Sequence, residues 1–450
     1  MAAVPELSAH GRARRRIPRP PGRPLVGDLA AYQHDPIGWM VGARVAYGDV
    51  VQLAPGIVVL FDPDATHRVL SETNVNYVVD SGRLAGARSR RERLSRLSTW
   101  KLIRRDLWHG FDSELVDAHV RRYREWMGGA DLDRDAGLVD VCRDLCGRGI
   151  VDFYLGGDRG TAALVTEIRA AADQLFARSL ETLDRAEARV RWWPRPHAAR
   201  ADSANQRLVE LLGEVIRQRA AERRSAPARD ALDVLLAACG GVADDGLLGT
   251  LRMALFASHG VPGVALSWLL LRLAADAGLR TRVLDELDGD PMVTGSVATD
   301  IPYTMAVIRE TLRLHPPQWI LSRTAVQDTE IGGYRVKAGW EVVMCPYLLH
   351  RDPGAWAEPE RFDPGRWLNA TPHPRHSYLP FGSGTRICPG SQLGILQMVS
   401  AVQQLFTHYE LSLPQFDTVT PAFTTLLHPA NVTPGWHRRP EHRSQGGPTS

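Results

Sequence analysis

The chain of 450 residues is long enough to bury a large core, and its 44% hydrophobic and 23% charged residues exclude a disordered, collagen-like or small disulfide-stapled protein. Charge is nearly balanced, with 54 Lys and Arg against 51 Asp and Glu, and six of the arginines fall within the first 24 residues. The remainder is therefore close to neutral, which argues against nucleic acid as the main partner.

Both ends of the chain are polar and rich in Pro and Gly. Residues 1–24 combine arginines with prolines and lack the apolar run of a signal peptide, and residues 437–450 show no periodicity. We therefore expect flexible tails on either side of residues 25–436, within which no linker-like segment interrupts the chain. The expected location is the cytoplasm, with no membrane partner.

Helical periodicity dominates between the tails, and we find no internal repeat. Strand patterns are few and short, at residues 49–60 and 330–344. The predicted helices lie over residues 112–126, 162–223, 244–275, 300–314 and 391–408. The fold class expected from this pattern is mainly α with a small β region.

The five cysteines are an odd number, so they cannot all pair, and their scatter indicates a reducing compartment. Cys142 and Cys146 lie one helical turn apart. Two ligands do not complete a metal site, so we expect two half-buried thiols there.

Residues 253–271 contain no Asp, Glu, Lys or Arg and form the one stretch that resembles a membrane span. His259, Gly260, Pro262 and Gly263 interrupt its middle. We therefore interpret the stretch as a buried central helix of the domain.

The chemistry concentrates near the end of the chain, where residues 381–390 read FGSGTRICPG. Cys388 stands at the end of this glycine-rich loop, just ahead of the helix predicted at residue 391. Glycines let the loop turn tightly and approach a flat ligand, and the helix dipole favours a thiolate over a thiol. A thiolate placed in this way is a metal ligand or a nucleophile.

A charged pair lies upstream of this loop. Glu310 and Arg313 are three residues apart and share one face of a predicted helix. Such a pair taken alone is a solvated surface bridge. The irregular segment that follows carries Arg361, from which we expect a second guanidinium for Glu310.

Together these segments resemble the cytochrome P450 family of haem-thiolate proteins, in its soluble bacterial form. The resemblance covers residues 18–435 and rests on motifs in the family's order: PGRPLVGDL and YGDVVQL near the start, WKLIRRDLWHGF at 100–111, ETLR at 310–313, PERF at 359–362 and FGSGTRICPG at 381–390. It implies the cytochrome P450 fold, a single large α-rich domain, and oxidoreductase activity.

The resemblance also implies a cofactor, haem b (iron protoporphyrin IX), with Cys388 as the proximal ligand of its iron. The guanidinium groups of arginine and the indole N–H of tryptophan are suitable hydrogen-bond donors to the two haem propionates. The family's positions for these contacts are filled here by Trp100, Arg104, Arg323 and Arg386.

Two further partners and one network follow from the same resemblance. Electrons are expected from a ferredoxin and its ferredoxin reductase, and the substrate is expected to be a small molecule. A buried structural triad is expected from Glu310, Arg313 and Arg361.

The central helix departs from the family pattern, in which an acid and an alcohol help to protonate bound oxygen. The family's glycine, acid and threonine positions hold Ser258, Gly260 and Val261, so both proton-relay groups are missing. Pro262 has no N–H for the Ser258 carbonyl, so we expect a kink that leaves this carbonyl free for water or substrate.

Three functions remain open after this departure. The first is a monooxygenase of bacterial secondary metabolism whose missing relay is replaced by Ser258, His259, ordered water or the substrate. The second is a haem-thiolate isomerase, dehydratase, peroxygenase or nitrene-type transferase. The third is a haem-binding sensor or inactive scaffold. His259 has a competing interpretation as a packed or hydrogen-bonded core residue.

The expected pocket walls are mostly apolar, which favours a hydrophobic or aromatic substrate. An arginine-rich lid is expected over residues 81–98. Its arginines are either solvated or select an anionic substrate. The walls are expected from Leu255, Phe256, Ser258, Gly260, Val261, Gln318, Trp319, Ile320, Leu321 and residues 423–427.

Overall fold

A computed structural model describes residues 16–22, 27–79, 113–130, 132, 136–156, 159–184, 196–222, 227–240, 245–288, 301–368 and 374–439. It divides into two units. The smaller unit comprises residues 1–82, 320–352 and 374–387, and the larger unit comprises residues 83–319, 353–373 and 388–450. Of the predicted tails, only residues 16–22 and 437–439 are among the described residues, and the predicted domain boundaries stay a prediction.

The smaller unit is built on a five-stranded sheet in the order β1-β2-β7-β4-β3. Strand β2 pairs parallel with β7, whereas the other pairs are antiparallel. The strands of this sheet are β1 (Val50–Ala54), β2 (Ile57–Leu60), β3 (Tyr77–Val78), β4 (Leu321–Ala325) and β7 (Glu341–Met344). Strands β5 (Thr329–Ile331) and β6 (Tyr334–Val336) form a separate antiparallel pair.

The described part of this smaller unit contains four α-helices. Aspartates cap two of them, because the Asp35 side chain accepts from the N–H of Gly38 and the Asp62 side chain from that of Ala65. The helices are α1 (Leu29–His34), α2 (Pro36–Tyr47), α3 (Pro63–Ser71) and α12 (Pro346–Leu349).

The larger unit is mostly helical, with two small antiparallel ribbons, β8 with β11 and β9 with β10. Its strands are β8 (Tyr409–Ser412), β9 (Pro421–Phe423), β10 (Leu427–Pro429) and β11 (Gly435–Arg438). Its helices are α4 (Ser113–Gly129), α5 (Leu138–Leu155), α6 (Ala162–Asp184), α7 (Pro196–Ala221), α8 (Ala231–Ala238), α9 (Asp245–Ala275), α10 (Ala277–Leu287), α11 (Pro302–Leu314) and α13 (Ser391–His408).

Helix α9 runs through the core of the larger unit. It is the one helix among the described residues that is long and apolar enough to cross a membrane, and 67% of its most apolar window is buried inside the protein. It packs against α5, α6, α7 and α13. The interpretation of residues 253–271 as part of a buried central helix is therefore confirmed.

Several predicted elements agree closely with the structure. The helices expected at 244–275, 300–314 and 391–408 correspond to α9, α11 and α13. The long helical pattern at 162–223 was expected as one run, but it holds two helices, α6 and α7. Helix α5 is not among the predicted helices; twelve of its eighteen residues are buried, and its exposed residues include Asp140 and Asp144.

Candidate functional site

Cys388 lies in the larger unit, two residues before the N-cap of α13 at Gly390. Its side chain is partly accessible, and a Cβ added to Gly390 would lie 4.0 Å from the Cys388 sulfur. The unpaired N–H groups at the start of an eighteen-residue helix stabilise negative charge nearby. The local structure therefore suits a thiolate at Cys388.

Three of the other described cysteines are buried, unlike Cys388, whereas Cys239 at the C-cap of α8 is also partly accessible. Burial raises the pKa of Cys146 and of Cys345 to about 12, and it raises that of Cys142 as well. Cys142 and Cys146 are fully buried on α5, more so than the half-buried thiols that we expected. Burial keeps these three thiols protonated and makes them poor metal ligands.

Glu310 is the centre of a buried network in the larger unit. Its carboxylate accepts hydrogen bonds from Arg313 Nε and Nη2 at 2.9 Å each, from Arg366 Nε at 3.0 Å and from Trp367 Nε1 at 2.9 Å. The backbone N–H of Asp363 donates a further bond at 3.0 Å. Glu310 and Arg313 are therefore part of a buried network and do not form a surface bridge.

The predicted role of Arg361 is wrong. Its guanidinium pairs with Glu358 at 2.8 Å, and both side chains are mostly exposed. Arg366 brings the second guanidinium to Glu310 instead, because the short 3₁₀ helix at Pro364–Trp367 turns its side chain inward. Arg361 takes part only through its backbone carbonyl, which accepts from Arg313 at 3.0 Å.

Burial and hydrogen bonding act on Glu310 in opposite directions. Burial by itself raises the pKa of this carboxyl, but Arg313 and the other donors outweigh it and hold the pKa below its ordinary value. Glu310 is therefore ionised at neutral pH, and its charge fixes the segment at 357–367 onto α11.

Helix α9 has one accessible face in the stretch that the sequence singled out. Ala257, Ser258, Val261 and Pro262 follow helical spacing and remain partly or fully accessible. The helix continues through Pro262, which has no N–H to donate to the carbonyl of Ser258. This face offers small, mostly apolar side chains and one backbone acceptor.

Gly260 does not share that face. A Cβ added at this position would lie 1.9 Å from Cζ of Phe176 on α6, so the phenyl ring occupies the space of a side chain. The position where the family resemblance expects an acid is therefore closed by packing. No local pattern predicts this contact, because it joins residues 84 positions apart.

His259 is buried on the side of α9 that packs on α5 and α6. Its Nε2 makes a short hydrogen bond with Asp173, and its ring lies against Gly147, where an added Cβ would approach Cε1 to 2.7 Å. Helical spacing places His259 about 140° around the axis from the centre of the accessible face. The structure therefore supports the interpretation of His259 as a packed, hydrogen-bonded residue.

In the smaller unit, Arg323 on β4 is a buried guanidinium. Its Nε donates to Thr73 Oγ1 at 3.0 Å and its Nη1 to the carbonyl of Ser322 at 2.7 Å. Burial lowers its pKa to about 10, and no carboxylate among the described residues pairs with it. A buried cation of this kind suits an anionic ligand group.

Arg386 lies next to the same corner of the smaller unit. Its Nε and Nη2 donate to Asn74 Oδ1 at 3.3 and 3.2 Å, and Thr385 donates to the carbonyl of Thr73 at 2.8 Å. Gly384 has φ +68, and a Cβ there would lie 2.4 Å from the Leu70 carbonyl oxygen. Only glycine allows this close approach, which supports the expectation of a tight loop.

These residues fit the haem group that the resemblance implies. Within the larger unit, a thiol at a helix start and an accessible apolar helix face are of the kinds that suit haem. Within the smaller unit, Arg323 and Arg386 are donors of the kind that binds carboxylates, and Arg323 is buried without a described carboxylate. Thr73 and Asn74, which orient those arginines, were not found by sequence reasoning because polar residues in a turn carry no distinctive pattern. Trp100, Arg104 and the expected lid at 81–98 lie outside the described residues.

Two of the expected pocket walls meet inside the larger unit. Trp319 Nε1 donates to the carbonyl of Thr424 at 2.7 Å, and its ring stands edge-on to Phe423 at 5.3 Å. Leu427 donates from its backbone to the carbonyl of Pro317 at 2.9 Å. Hydrogen bonds therefore join the segment after α11 to the segment that carries β9 and β10. Both segments are expected to line the pocket.

Comparison with known proteins gives a family match. The family model described as Cytochrome P450 matches residues 17–433. A Mycobacterium tuberculosis protein named as cytochrome P450 132 is 35% identical over 230 residues, which cover 49% of this chain and 48% of that protein. The match thus spans about half the length of that relative. The Cyclooctat-9-en-7-ol 5-monooxygenase of Streptomyces melanosporofaciens is 28% identical over 411 residues, covering 86% of this chain and 88% of that protein.

Solved structures share the fold. A cyanobacterial CYP120A1 with retinoic acid bound superimposes with a TM-score of 0.72 at 22% identity, over 94% of this chain and 100% of that one. The haem domain of cytochrome P450DA gives 0.70 at 20% identity, over 96% and 99%. At these identities the likeness shows the fold alone, and it confirms the predicted mainly α fold with its small β region.

Proposed function

Because the chain belongs to the cytochrome P450 family and is therefore a haem-thiolate oxidoreductase, we propose that it is a monooxygenase of bacterial secondary metabolism. The observation that carries the proposal is Cys388, a partly accessible thiol at the start of α13, in a chain whose three buried thiols have raised pKa values. Haem, when bound, supplies the chemistry of oxygen activation.

The residues of this chain hold the cofactor and shape its surroundings. Cys388 is proposed as the ligand of the iron, and Arg323 and Arg386, with Trp100 and Arg104, as donors to the two carboxylates of haem b. Arg323 is suited to this role because it is buried and is held by Thr73. A ferredoxin with its reductase and a cytoplasmic location complete the proposal.

The missing acid and alcohol require another proton donor on α9. Gly260 and Val261 offer none, and His259 is packed on the far side of the helix. Ser258 is on the accessible face, and its carbonyl lacks an N–H donor at Pro262. We assign to the Ser258 hydroxyl and carbonyl the role of holding a water molecule or a substrate hydroxyl that delivers the proton.

The substrate is proposed to be a small, mainly hydrocarbon metabolite. The name of the Streptomyces relative denotes an unsaturated alcohol, which carries no charged group. The accessible face of α9 is likewise uncharged. An apolar lining with few polar groups is typical of sites for such molecules.

The ligand assignment is tested by the spectrum of the reduced protein with carbon monoxide. We expect the red-shifted Soret band of a thiolate-ligated haem in the wild type and its loss in Cys388→His. Cys345→Ala is the matched control, because it removes a thiol buried in the smaller unit. A red-shifted band that persists in Cys388→His contradicts the assignment.

A second function is favoured by the packing at Gly260. Phe176 fills the space at Gly260, so the position where the resemblance expects an acid has no room for one. A haem-thiolate isomerase, dehydratase, peroxygenase or nitrene-type transferase does not need that acid. Candidate metabolites are incubated with the holoenzyme, with and without oxygen, reductant and peroxide. Turnover that requires both oxygen and reductant supports the monooxygenase, and product formed anaerobically without reductant supports the second function.

A further inference from the structure

A cavity of about 210 Å³ lies wholly within the larger unit, between helices α4, α5 and α6. Each helix contributes one arginine to its wall: Arg122, Arg148 and Arg169. The described residues that line it include neither Cys388 nor any residue of α9. The cavity is therefore separate from the site that we assign to haem and substrate.

The wall of this cavity carries an excess of positive charge. Arg122 donates to Asp152, with Nη2 at 3.0 Å, and Arg148 Nε donates to Asp144 at 2.9 Å. Arg169 is half-buried and has no hydrogen bond or ion pair with another described residue. Two of the guanidinium groups are thus compensated by carboxylates and the third is not. An arginine in this position favours an anionic ligand group.

Asp152 is the one carboxylate among the described lining residues, and its oxygens are already occupied. His119 Nδ1 lies 2.9 Å from Oδ2, and Arg122 donates from both Nε and Nη2. Burial by itself raises the pKa of Asp152, but these two partners outweigh it and hold the pKa below its ordinary value. Asp152 therefore stays ionised and paired, which leaves Arg169 to a ligand.

Aromatic and aliphatic groups form much of the remaining wall. The Trp126 ring stacks on Tyr123 with the ring centroids 5.9 Å apart, and Arg148 Cζ lies 5.0 Å from the Trp126 centroid. Val151 and Val165 add aliphatic surface. The volume is below the range of about 300–1,000 Å³ that is typical of small-molecule sites. The cavity therefore suits a single ring and not a larger skeleton.

From the uncompensated charge of Arg169, the aromatic and aliphatic wall and the small volume, we propose that this cavity binds a small aromatic carboxylate. Arg169 holds the acid group, and the ring lies against Val151 and Val165. Because such a ligand contacts three helices at once, its binding stabilises the folded protein by mass action. This site is additional to the proposed haem and substrate sites.

The test compares benzoate with benzamide, which has nearly the same shape but no charge, and with inorganic phosphate, which has charge but no ring. Their dissociation constants with the full-length holoenzyme are measured by isothermal titration calorimetry, and the haem absorbance is followed in parallel. We expect benzoate to bind at least tenfold more tightly than either of the other two. The Soret band should not shift as this site fills, because Cys388 does not line the cavity.

Arg169→Leu should weaken benzoate binding at least tenfold and leave the constant for benzamide nearly unchanged. Arg178→Leu is the matched control, because Arg178 is also a half-buried arginine of α6 but does not line the cavity. It should leave both constants unchanged. Val165→Trp fills the cavity from a half-buried position and should weaken benzoate binding at least tenfold. This second variant keeps the test decisive if Arg169→Leu fails to fold.

Each other outcome contradicts the inference. Equal binding of benzoate and benzamide shows that the charge is not recognised, and tightest binding of phosphate shows that the ring is not. Benzoate binding that is unaffected by Arg169→Leu or by Val165→Trp places the ligand elsewhere. A Soret shift that saturates together with benzoate binding places the ligand at the haem. None of these results bears on the ligand of the iron, which the carbon monoxide spectrum tests separately.

Discussion

At the scale of single residues, the Glu310 network shows how one buried carboxylate depends on donors from separate places in the chain. Arg313 comes from the same helix, whereas Arg366, Trp367 and the N–H of Asp363 come from the irregular segment about 55 residues later. The carboxylate and the Arg313 side chain are completely buried, so each lost donor leaves charge in a medium that solvates it poorly.

Two arginines in this segment give a matched comparison. Arg366→Ala removes a charge-assisted bond to a buried carboxylate and should lower the free energy of unfolding by about 1.5–3 kcal/mol. Arg361→Ala removes an exposed pair with Glu358 and should change it by less than about 0.5 kcal/mol. Urea titration followed by circular dichroism measures both, and equal effects contradict the assignment of Arg366.

Glu310→Ala should be more damaging than either arginine variant. It leaves the buried Arg313 guanidinium without its carboxylate, for a loss of about 3–5 kcal/mol and poor retention of haem. The haem content of purified protein and the urea midpoint are the measurements. A fully haem-loaded variant of normal stability would show that the network is dispensable.

At the scale of elements, α9 is held by three glycine contacts with its neighbours. Gly260 lies under Phe176, Gly263 lies against the backbone of Arg143, and Gly147 on α5 makes room for the ring of His259. Glycine at such positions lets helices approach closely, and any larger residue meets backbone or a packed ring.

The contact at Gly260 predicts the result of restoring the family's acid. Gly260→Asp should overpack the core against Phe176 and destabilise the protein by about 3 kcal/mol or more. The double variant Phe176→Ala with Gly260→Asp should recover part of this loss, because the smaller side chain vacates the space. Thermal unfolding of both variants is the measurement, and a stable single variant contradicts the packing argument.

The sequence predicted the parts of this fold whose signals are local. The cysteine loop, the pair of Glu310 and Arg313 and the long apolar helix all follow from spacing within a short stretch, and the structure places them as expected. Phe176, Arg143 and Arg366 act through contacts between distant segments. No periodicity distinguishes a phenylalanine that fills the space above a glycine from one that packs elsewhere in the core.

At the scale of the whole molecule, buried ionisable groups set the dependence of stability on pH. Burial lowers the pKa of His119, which is neutral in the fold although Asp152 opposes this shift. Asp233 is partly buried, which by itself raises its pKa, but the hydrogen bonds of Arg229 outweigh this and lower the pKa to about 2. The depressed pKa of Glu310 acts in the same direction.

These directions predict two successive losses of stability on acidification. The contribution of His119 is present above its unfolded pKa of about 6.5 and is lost as pH falls toward its folded value. The carboxylates contribute above about pH 4, and this share is lost as pH falls toward about 2. Urea midpoints from pH 8 to 3 should decline in both windows.

One variant assigns the more acidic decline to a residue. Asp233→Asn should flatten the decline below pH 4. A profile that stays level from pH 8 to 3 contradicts the assignment of these groups.

The glycine contacts of α9 also bear on how enzymes of this kind diverge. One side of the helix is fixed by neighbours that approach within the space of a methyl group, while the side with Ala257, Ser258 and Val261 touches little of its own protein. Substitutions on the accessible side therefore cost little stability, so new reaction types can be sampled one residue at a time. Val261, where the resemblance expects an alcohol, lies on this accessible side, whereas Gly260, where it expects an acid, lies on the packed side.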